Sequence, residues 1–307
     1  MSIGLNEILL YFDDKNIKYE FTGNRHISFS SFCPLNELNG DSITWVRNAA
    51  DVPVEAMNSM NNILLIAELG SEVKGAEFPI LYVENVHRSF FCVLEKFFSE
   101  CDPVKRKAKI ELSAVVDTAD IGKEVYIGHH TYIGPKVKIG NNVIIYHNVT
   151  IDGNVSIGND TVIESGVSIG GDGTGFYKDD NGNLIHVPHY GGIIIGSNVW
   201  IGSNSVIIRG CLGDTIIGDG TKISDLCCIS HNDSIGRNTE ITCGTFIAGS
   251  SAVGENVWIA PGTVINNSAH IGKGSYVGIG SVVLSKVKPN TKVFGYPAVK
   301  YKFDGSD

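Results

Sequence analysis

Nine histidines are the side chains of this 307-residue chain best suited to moving protons near neutral pH. His231 is the strongest candidate for a general base, because it follows a residue of a long aliphatic repeat by two positions. Gly249 stands further along the chain at a multiple of the same spacing, and its backbone N–H is a candidate donor to an oxyanion. Asp225 is a candidate to orient the His231 imidazole, and Asn232 is a candidate to position a substrate.

A repeat of six residues must position these groups. From Val115 to Val283 there are 25 aliphatic anchors spaced by six, with two interruptions, and Gly follows 13 of them. This period fits neither an amphipathic helix nor one alternating strand, but it fits a parallel β-helix with three short strands, and so three repeats, in each coil. We therefore expect about eight coils, a prism roughly 40 Å long, and His231 and Gly249 stacked one coil, about 4.8 Å, apart.

The two interruptions of the repeat are the segments 170–192 and 209–215. Loops that leave a solenoid often carry function. The first segment is rich in glycine and includes Phe176 and Tyr177, so we expect it to reach a neighbouring groove and contact a ligand. The alternative is a decorated surface loop. The glycines do not predict a P-loop, because no Lys-Ser/Thr pair follows them.

Composition limits the possible functions. The net charge of −9 argues against binding to a nucleic-acid polymer. The seven cysteines contain no CxxC pair, which predicts reduced thiols, a cytoplasmic protein and no metal site. The chain start lacks the basic region of a signal peptide. No apolar run approaches the length of a membrane-crossing helix, so no transmembrane segment is expected. The basic cluster at residues 105–109 fits either a solvated linker or a patch that attracts an anion.

The repeat resembles the hexapeptide-repeat, left-handed β-helix acyltransferases. Within them, the order of the motifs resembles the UDP-3-O-acylglucosamine N-acyltransferase (LpxD) family of lipid A synthesis, over about residues 1–285. The motifs are Ile169-Gly-Gly-Asp-Gly-Thr-Gly-Phe176, Arg209-Gly-Cys-Leu-Gly-Asp-Thr215, Ile229-Ser-His-Asn232 and Ala248-Gly-Ser250.

That resemblance implies a homotrimer with active sites in grooves between subunits, His231 as the catalytic base and Gly249 as the oxyanion donor. It implies no permanently bound cofactor and no metal, with an acyl thioester as co-substrate. One departure concerns the family's second groove histidine, whose position holds Ser268 here. Ser268 is therefore a substrate-contact candidate, and this departure bears on the family's contacts to an acyl carrier protein.

Residues 1–100 lack the repeat and predict a small α/β domain. Leu5 to Phe12 have helical spacing with Ser2 as a possible N-cap, a second helix is expected over 85–100, and strands over 42–47, 62–67 and 79–83. The segment resembles the uridine-binding domain of the LpxD family. That resemblance implies that Trp45 stacks on the base and Asn48 bonds to it, whereas Asp51 departs from the family's Tyr. The alternative for Trp45 is a core aromatic residue.

The remaining boundaries place a linker at 101–114, the β-helix domain at 115–285 and a C-terminal tail at 286–307. The tail resembles that of CoA-dependent sugar acetyltransferases and lacks the terminal helices of LpxD. Lys286, Lys292 and Lys300 are therefore candidates to contact CoA phosphates, the alternative being solvated lysines.

The leading hypothesis is an N-acyltransferase that moves an acyl group from acyl-CoA to the amine of a nucleotide-linked amino sugar. The alternative is an LpxD-type enzyme that uses an acyl carrier protein thioester. A third possibility is a non-catalytic β-helix protein that binds a sugar nucleotide.

Overall fold

The computed structural model describes residues 2–101 and 106–300, and the chain divides into two compact units at residues 105 and 106. Lys105 of the basic cluster and positions 301–307 of the predicted tail lie outside the described residues. No helix in the described part of the chain has the length and apolarity that a membrane span requires.

The first unit is the predicted α/β domain, built on one five-stranded sheet. Its strands, numbered in chain order, are β1 (Ile3–Gly4), β2 (Tyr19–Thr22), β3 (Ser28–Phe29), β4 (Ser31–Phe32), β5 (Ser42–Trp45), β6 (Ile63–Glu68) and β7 (Ile80–Val83). The order in the five-stranded sheet is β2-β7-β6-β5-β4; β2 pairs antiparallel with β7, and the other neighbours are parallel. The helices are α1 (Leu5–Asp14), α2 (Val54–Asn58) and α3 (Val86–Phe97), with short 3-10 turns at Ala49–Asp51 and Ser99–Cys101.

The two longer helices follow the predicted apolar spacing. Helix α1 buries Leu5, Ile8, Leu9 and Phe12 on one face. Its N-cap is Gly4, whose amide donates to the Glu7 carboxylate at 2.7 Å, so the predicted cap at Ser2 is wrong. Helix α3 begins after Asn85, whose side-chain oxygen accepts from the Arg88 amide at 2.9 Å.

The second unit is a parallel β-helix with three faces. The first face holds β8 (Lys109–Ile110), β10 (Tyr126–Ile127), β13 (Ile144–Ile145), β16 (Val162–Ile163), β21 (Trp200–Ile201), β24 (Lys222–Ile223), β27 (Glu240–Ile241), β30 (Trp258–Ile259), β33 (Tyr276–Val277), β35 (Lys292–Phe294) and the antiparallel β36 (Val299–Lys300). The second holds β9 (Val115–Val116), β11 (Tyr132–Ile133), β14 (Thr150–Ile151), β17 (Ser168–Gly171), β22 (Val206–Ile208), β25 (Cys228–Ile229), β28 (Phe246–Ile247), β31 (Val264–Ile265) and β34 (Val282–Val283). The third holds β12 (Lys138–Ile139), β15 (Val155–Ile157), β20 (Ile193–Ile195), β23 (Thr215–Ile217), β26 (Ser234–Ile235), β29 (Ala252–Val253) and β32 (His270–Ile271).

The anchors form one continuous aliphatic core along the prism. A second inward position, two residues before each anchor, was not predicted. In most coils it holds apolar residues or hydroxyl residues such as Thr221 and Thr239, whose side chains donate to corner carbonyls of the next coil at 2.9 and 2.8 Å. Asn residues occupy many corners at positive φ, as the sequence predicts; Asn142 has a φ of 56°.

The ends of the β-helix differ from the prediction. Lys109–Ile110 already pairs in register with Tyr126–Ile127, so residues 109–114 belong to the first coil rather than to a linker. In this coil Ile110 aligns with Ile127 and Val116 aligns with Ile133, whereas the predicted anchor Val115 is 55 % exposed. At the other end, Lys292–Phe294 extends the first face beyond residue 285. The end coils depart from the regular spacing of the anchors, which is why the repeat alone misplaced their limits.

The interruptions leave the strand register of the third face intact, whereas on the second face the pairing of β17 with β22 shifts by one residue between Ile169 and Gly171. Val155 aligns with Ile193 although the whole of the longer insertion lies between them, and Ile193 aligns with Thr215 across the shorter one. The longer insertion carries its own antiparallel hairpin of β18 (Phe176–Lys178) and β19 (Leu184–His186). The predicted loop therefore contains two short strands.

Candidate active site

His231 lies at a corner of the β-helix, immediately after β25. The buried anchor Ile229 fixes the strand, and Asn232 turns the chain with a φ of 60°. The carboxylate of Asp233, which points inward, accepts from the Ser230 amide at 2.8 Å and closes the turn. The half-buried His231 side chain is thereby held on a rigid corner.

The hydrogen bonds of His231 define which ring nitrogen can act as a base. Its Nδ1 lies 3.2 Å from the side-chain oxygen of Asn232. Because an amide oxygen only accepts, Nδ1 carries the proton and Nε2 keeps its lone pair in the neutral ring. A Cβ on Gly249 would lie 2.5 Å from Nε2, so the edge of the imidazole that carries Nε2 packs closely against Gly249.

Gly249 is stacked on His231 in the next coil, as the repeat predicts. The Ser250 amide donates to the His231 carbonyl at 2.8 Å, and the Ser268 amide donates to the Gly249 carbonyl at 3.0 Å. Among the described residues, no acceptor bonds to the Gly249 N–H. A free backbone donor next to an imidazole lone pair has the composition of an acyl-transfer site.

Asn232 makes its hydrogen bonds to groups within the protein. Its side-chain oxygen accepts from the Cys211 amide at 2.9 Å, its side-chain nitrogen donates to the Gly213 carbonyl at 3.2 Å, and its backbone amide donates to Thr215 Oγ1 at 2.9 Å. The second interruption is thus tied to the His231 corner. The side chain predicted to position a substrate is shown here orienting His231 and holding the bulge.

The structure does not bring Asp225 to His231. Asp225 lies on the preceding corner, and its carboxylate accepts from the Ser203 amide at 2.8 Å. In a β-helix one repeat leads to the next corner and three repeats return to the same one, so the spacing of Asp225 places it away from the imidazole. Asp225 also raises the pKa of Glu164 on that corner, after the larger effect of burial.

Asp233 is a site residue that the sequence analysis missed. Its side chain is fully buried, and its two oxygens accept from the amides of Ser230 and Ser251, both at 2.8 Å. It therefore joins the His231 corner to the Gly249 corner. Burial raises the pKa of this carboxyl to about 8, against the lowering effect of the two amide bonds. Asp233 occupies the second inward position, where other coils place hydroxyl or apolar residues. This unusual residue was the sequence signal that could have identified it as a site residue.

His189, near the end of the long loop, was also missed. Its ring packs at 80° to the His231 ring, with centroids 5.4 Å apart, and only 5 % of the residue is exposed. The loop residues predicted to touch a ligand, Phe176 and Tyr177, lie on the hairpin and are 54 % and 56 % exposed. The loop therefore reaches the His231 corner of its own chain through His189 rather than through these two aromatic side chains.

Ser268 lies one coil beyond the Gly249 corner. It is exposed, adopts a φ of 57°, and its hydroxyl accepts from Asn267 at 3.1 Å. One full coil after Gly249 comes Asn267, so Asn267 stacks on Gly249 and His231. Ser268 instead stacks on Ser250 and Asn232, one position further along the chain at the same corner. Its contact with a substrate stays a prediction.

In the first unit, Trp45 ends β5 half-buried against α3. Its ring lies 5.5 Å from the His87 ring and 6.0 Å from the Phe90 ring, and the Arg47 guanidinium lies 5.8 Å from its centroid. Asn48 is exposed, and its side-chain oxygen accepts from the Ala50 amide at 3.2 Å. Trp45 is thus partly a core residue, and base stacking stays a prediction.

Two of the three predicted tail lysines line one cleft. Lys286 and Lys300 border a cleft of about 470 Å³ together with Lys288. Its floor includes Val283 and Val293. Lys292 is not among the lining residues; it lies on the first face, in register with Tyr276.

Comparisons with known proteins define the class first. A bacterial transferase hexapeptide model matches residues 118–153 and 136–171. A crystal structure of a UDP-N-acetylglucosamine acyltransferase superposes with a TM-score of 0.57 at 26 % identity, covering 62 % of this chain and 73 % of that one. The second unit is a left-handed parallel β-helix of the hexapeptide-repeat kind.

The relatives found by sequence indicate a narrower family than the fold does. A UDP-3-O-acylglucosamine N-acyltransferase 1 from Legionella pneumophila is 36 % identical in an alignment of 243 residues that covers 71 % of this chain and 66 % of the relative. A UDP-3-O-acylglucosamine N-acyltransferase from Coxiella burnetii is 48 % identical over 81 residues, which is 26 % of this chain and 24 % of the relative. The chain thus spans about a quarter of the length of that Coxiella relative. The chain is LpxD-like, and the resemblance indicated by its motifs is confirmed.

Proposed function

We propose that this protein is an N-acyltransferase that moves an acyl group from a thioester to the amine of a nucleotide-linked amino sugar. One observation carries the proposal: the ring edge of His231 that includes Nε2 packs against Gly249, whose N–H bonds to no acceptor among the described residues. Base and oxyanion donor are the two groups that aminolysis of a thioester needs close together.

The reaction balances with these two groups. The lone pair of the sugar amine attacks the thioester carbonyl carbon while His231 Nε2 takes one amine proton. The carbonyl oxygen becomes an oxyanion and accepts a hydrogen bond from the Gly249 N–H. The C–S bond then breaks, and the proton on Nε2 goes to the departing thiolate, which restores the neutral imidazole.

Asn232 orients the His231 ring through the nitrogen that does not take the amine proton. A hydrogen bond from Nδ1–H to its side-chain oxygen holds the tautomer whose lone pair is on Nε2. The same oxygen is fixed by the Cys211 amide, so the imidazole is oriented through the bulge. Ordering these groups before the substrates bind reduces the reorganisation needed at the reacting atoms.

The names of the relatives favour an LpxD-type acceptor, a UDP-linked acylated glucosamine with a free amine. In that hypothesis Trp45 stacks on uracil in the first unit, and a homotrimer forms the groove beside His231. The family resemblance pairs this acceptor with an acyl carrier protein thioester.

One observation favours acyl-CoA as the donor instead. The cleft bordered by Lys286, Lys288 and Lys300 combines three cations with an apolar floor, which suits the phosphates and the pantetheine arm of CoA. Both donors supply the same thioester, so the reaction at His231 is unchanged.

A substrate panel tests the proposal. The protein is incubated with UDP- or dTDP-linked amino sugars together with acetyl-CoA, 3-hydroxybutyryl-CoA or acyl carrier protein thioesters. The product masses are measured by mass spectrometry. We expect one acceptor to gain one acyl mass with loss of one proton. Sugar-nucleotide binding without any product would instead indicate a non-catalytic protein.

A further inference from the structure

We propose that Asp172, His186 and His189 bind a first-row divalent cation of the Zn²⁺ type beside the His231 corner. Each residue offers one ligand atom, and these atoms all lie within 4.8 Å of one another. Two imidazoles and one carboxylate are a ligand set that zinc accepts in three-residue sites, with a further position left for another ligand. The proposal departs from the sequence prediction of no metal, which rested on cysteine spacing and on the family resemblance.

His189 provides the strongest evidence for the site. Its Nδ1 lies 2.9 Å from the Val187 carbonyl, so Nδ1–H donates and Nε2 keeps the lone pair. The residue is 5 % exposed, and Nε2 has no hydrogen-bond partner among the described residues. A buried acceptor that lacks a partner is costly, and a histidine whose other N–H is fixed by a carbonyl is typical of metal ligands.

Asp172 has one oxygen available for the cation. Its Oδ1 pairs with the Arg209 guanidinium, whereas its Oδ2 faces His186, at 3.8 Å from Nε2. Arg209 is itself held by a bond to the Gly170 carbonyl at 3.2 Å. The arginine therefore orients the carboxylate from one side and leaves the other oxygen toward the two imidazoles.

His186 completes the set from a more exposed position. Its side chain is 40 % exposed, and its Nε2 lies 3.1 Å from the Gly173 carbonyl. Binding through Nε2 would replace the proton that makes this bond. The rings of His186 and His189 are stacked at 11° with centroids 6.3 Å apart. His186 therefore already lies next to the buried His189.

The consequence of such a site is a closed loop. Asp172 stands near the start of segment 170–192, His186 at the end of its hairpin and His189 close to its end. A cation bound to all three would clamp both ends of the insertion at the His231 corner. Metal binding is independent of the proposed reaction and can be measured without any substrate.

The experiment uses the full chain after dialysis against a chelator, titrated with Co²⁺ as a spectroscopic probe and with Zn²⁺ by calorimetry. We expect one equivalent to bind, with the visible absorption of a Co²⁺ ion held by nitrogen and oxygen ligands. Asp172→Asn, His186→Ala and His189→Gln should each weaken binding about tenfold or more. The control His270→Ala removes an exposed histidine outside the cluster and should bind as the unaltered protein does.

The first two variants change a partly exposed side chain, so they keep the test decisive if His189→Gln fails to fold. Circular dichroism identifies the folded variants. Binding that is absent from the unaltered protein, or that survives unchanged in folded Asp172→Asn and His186→Ala, would overturn the proposal. A panel that yields no acyl product would leave this result untouched, so the two proposals fail separately.

Discussion

The regular coils and the interrupted corner differ in whether their buried polar groups have hydrogen-bond partners. In the regular coils, buried hydroxyls such as those of Thr221 and Thr239 bond to carbonyls of the next coil. Beside the long loop, His189 Nε2 and Arg209 Nε are buried without a hydrogen-bond partner among the described residues. The repeat supplies a rigid frame with its bonds satisfied, whereas the interruptions collect groups that are free to meet a ligand.

The largest expected effect comes from removing the base. His231→Ala should lower turnover by about 10²–10⁴-fold, because general base catalysis contributes about that much. Circular dichroism and oligomeric state should be unchanged, since the side chain is not part of the aliphatic core. Steady-state kinetics with the pair of substrates found by the panel measures the loss.

The matched control for this change is His270→Ala, which removes an exposed histidine from β32. Its turnover should stay near that of the unaltered protein. Full activity in His231→Ala would show that another group accepts the amine proton.

A smaller loss is expected from crowding the base. In Gly249→Ala the new Cβ would lie 2.5 Å from His231 Nε2, so the imidazole must shift. Misplacement on the scale of about 1 Å costs about 10²-fold in rate, and kcat should fall by about that factor. Gly171→Ala is the control, because its Cβ meets nothing within 4 Å. Equal kcat values in the two variants would contradict the placement of the lone pair beside Gly249.

The third expected effect is on the pH dependence of stability and leaves the reacting groups unchanged. Asp233 holds its proton up to about pH 8 in the folded chain, whereas an unfolded aspartate ionises near pH 4. Between these values the folded state binds more protons, so its contribution to stability is full below about pH 4 and is lost as the pH rises through 8. Asp233→Asn should remove this slope from the thermal midpoint measured between pH 4 and 8.

Asp233→Asn also loses one acceptor for the amides of Ser230 and Ser251, so a constant destabilisation at all pH values is expected as well. Thr239→Val changes the same inward position in a regular coil and should keep the slope of the unaltered protein. A slope that persists in Asp233→Asn would assign the pH dependence to another group.

Most of the second unit could be predicted from the sequence, because each β-helix position depends on its own residue and its stacked neighbour. Anchors from Ile127 to Val283 lie in the core as predicted, and counting three repeats placed Gly249 on His231. The start of the β-helix could not be placed, because the step from Val116 to Ile121 is five residues and puts Ile110 and Val116 out of phase with the later anchors.

The site was predictable only where it follows the repeat. His231 and Gly249 are one coil apart, so their contact follows from counting. His189 and Asp172 come from an insertion whose path depends on contacts outside the repeat, such as the Arg209 ion pair. Asp225 was assigned to the imidazole by proximity in sequence, but one repeat is the distance between neighbouring corners.

The strand register across the long insertion has a consequence for how this fold can change. Val155 and Ile193 align as if an ordinary coil joined them, although the whole insertion lies between them. The neighbouring coils restrict the ends of segment 170–192, where a Cβ on Gly170 or Gly192 would collide with their carbonyl oxygens. The hairpin between these ends pairs with no strand of the coils. A loop of different length and chemistry could be exchanged at this corner while His231 and Gly249 stay in place. Evolution or a protein engineer could thus alter what is recognised without rebuilding the part that reacts.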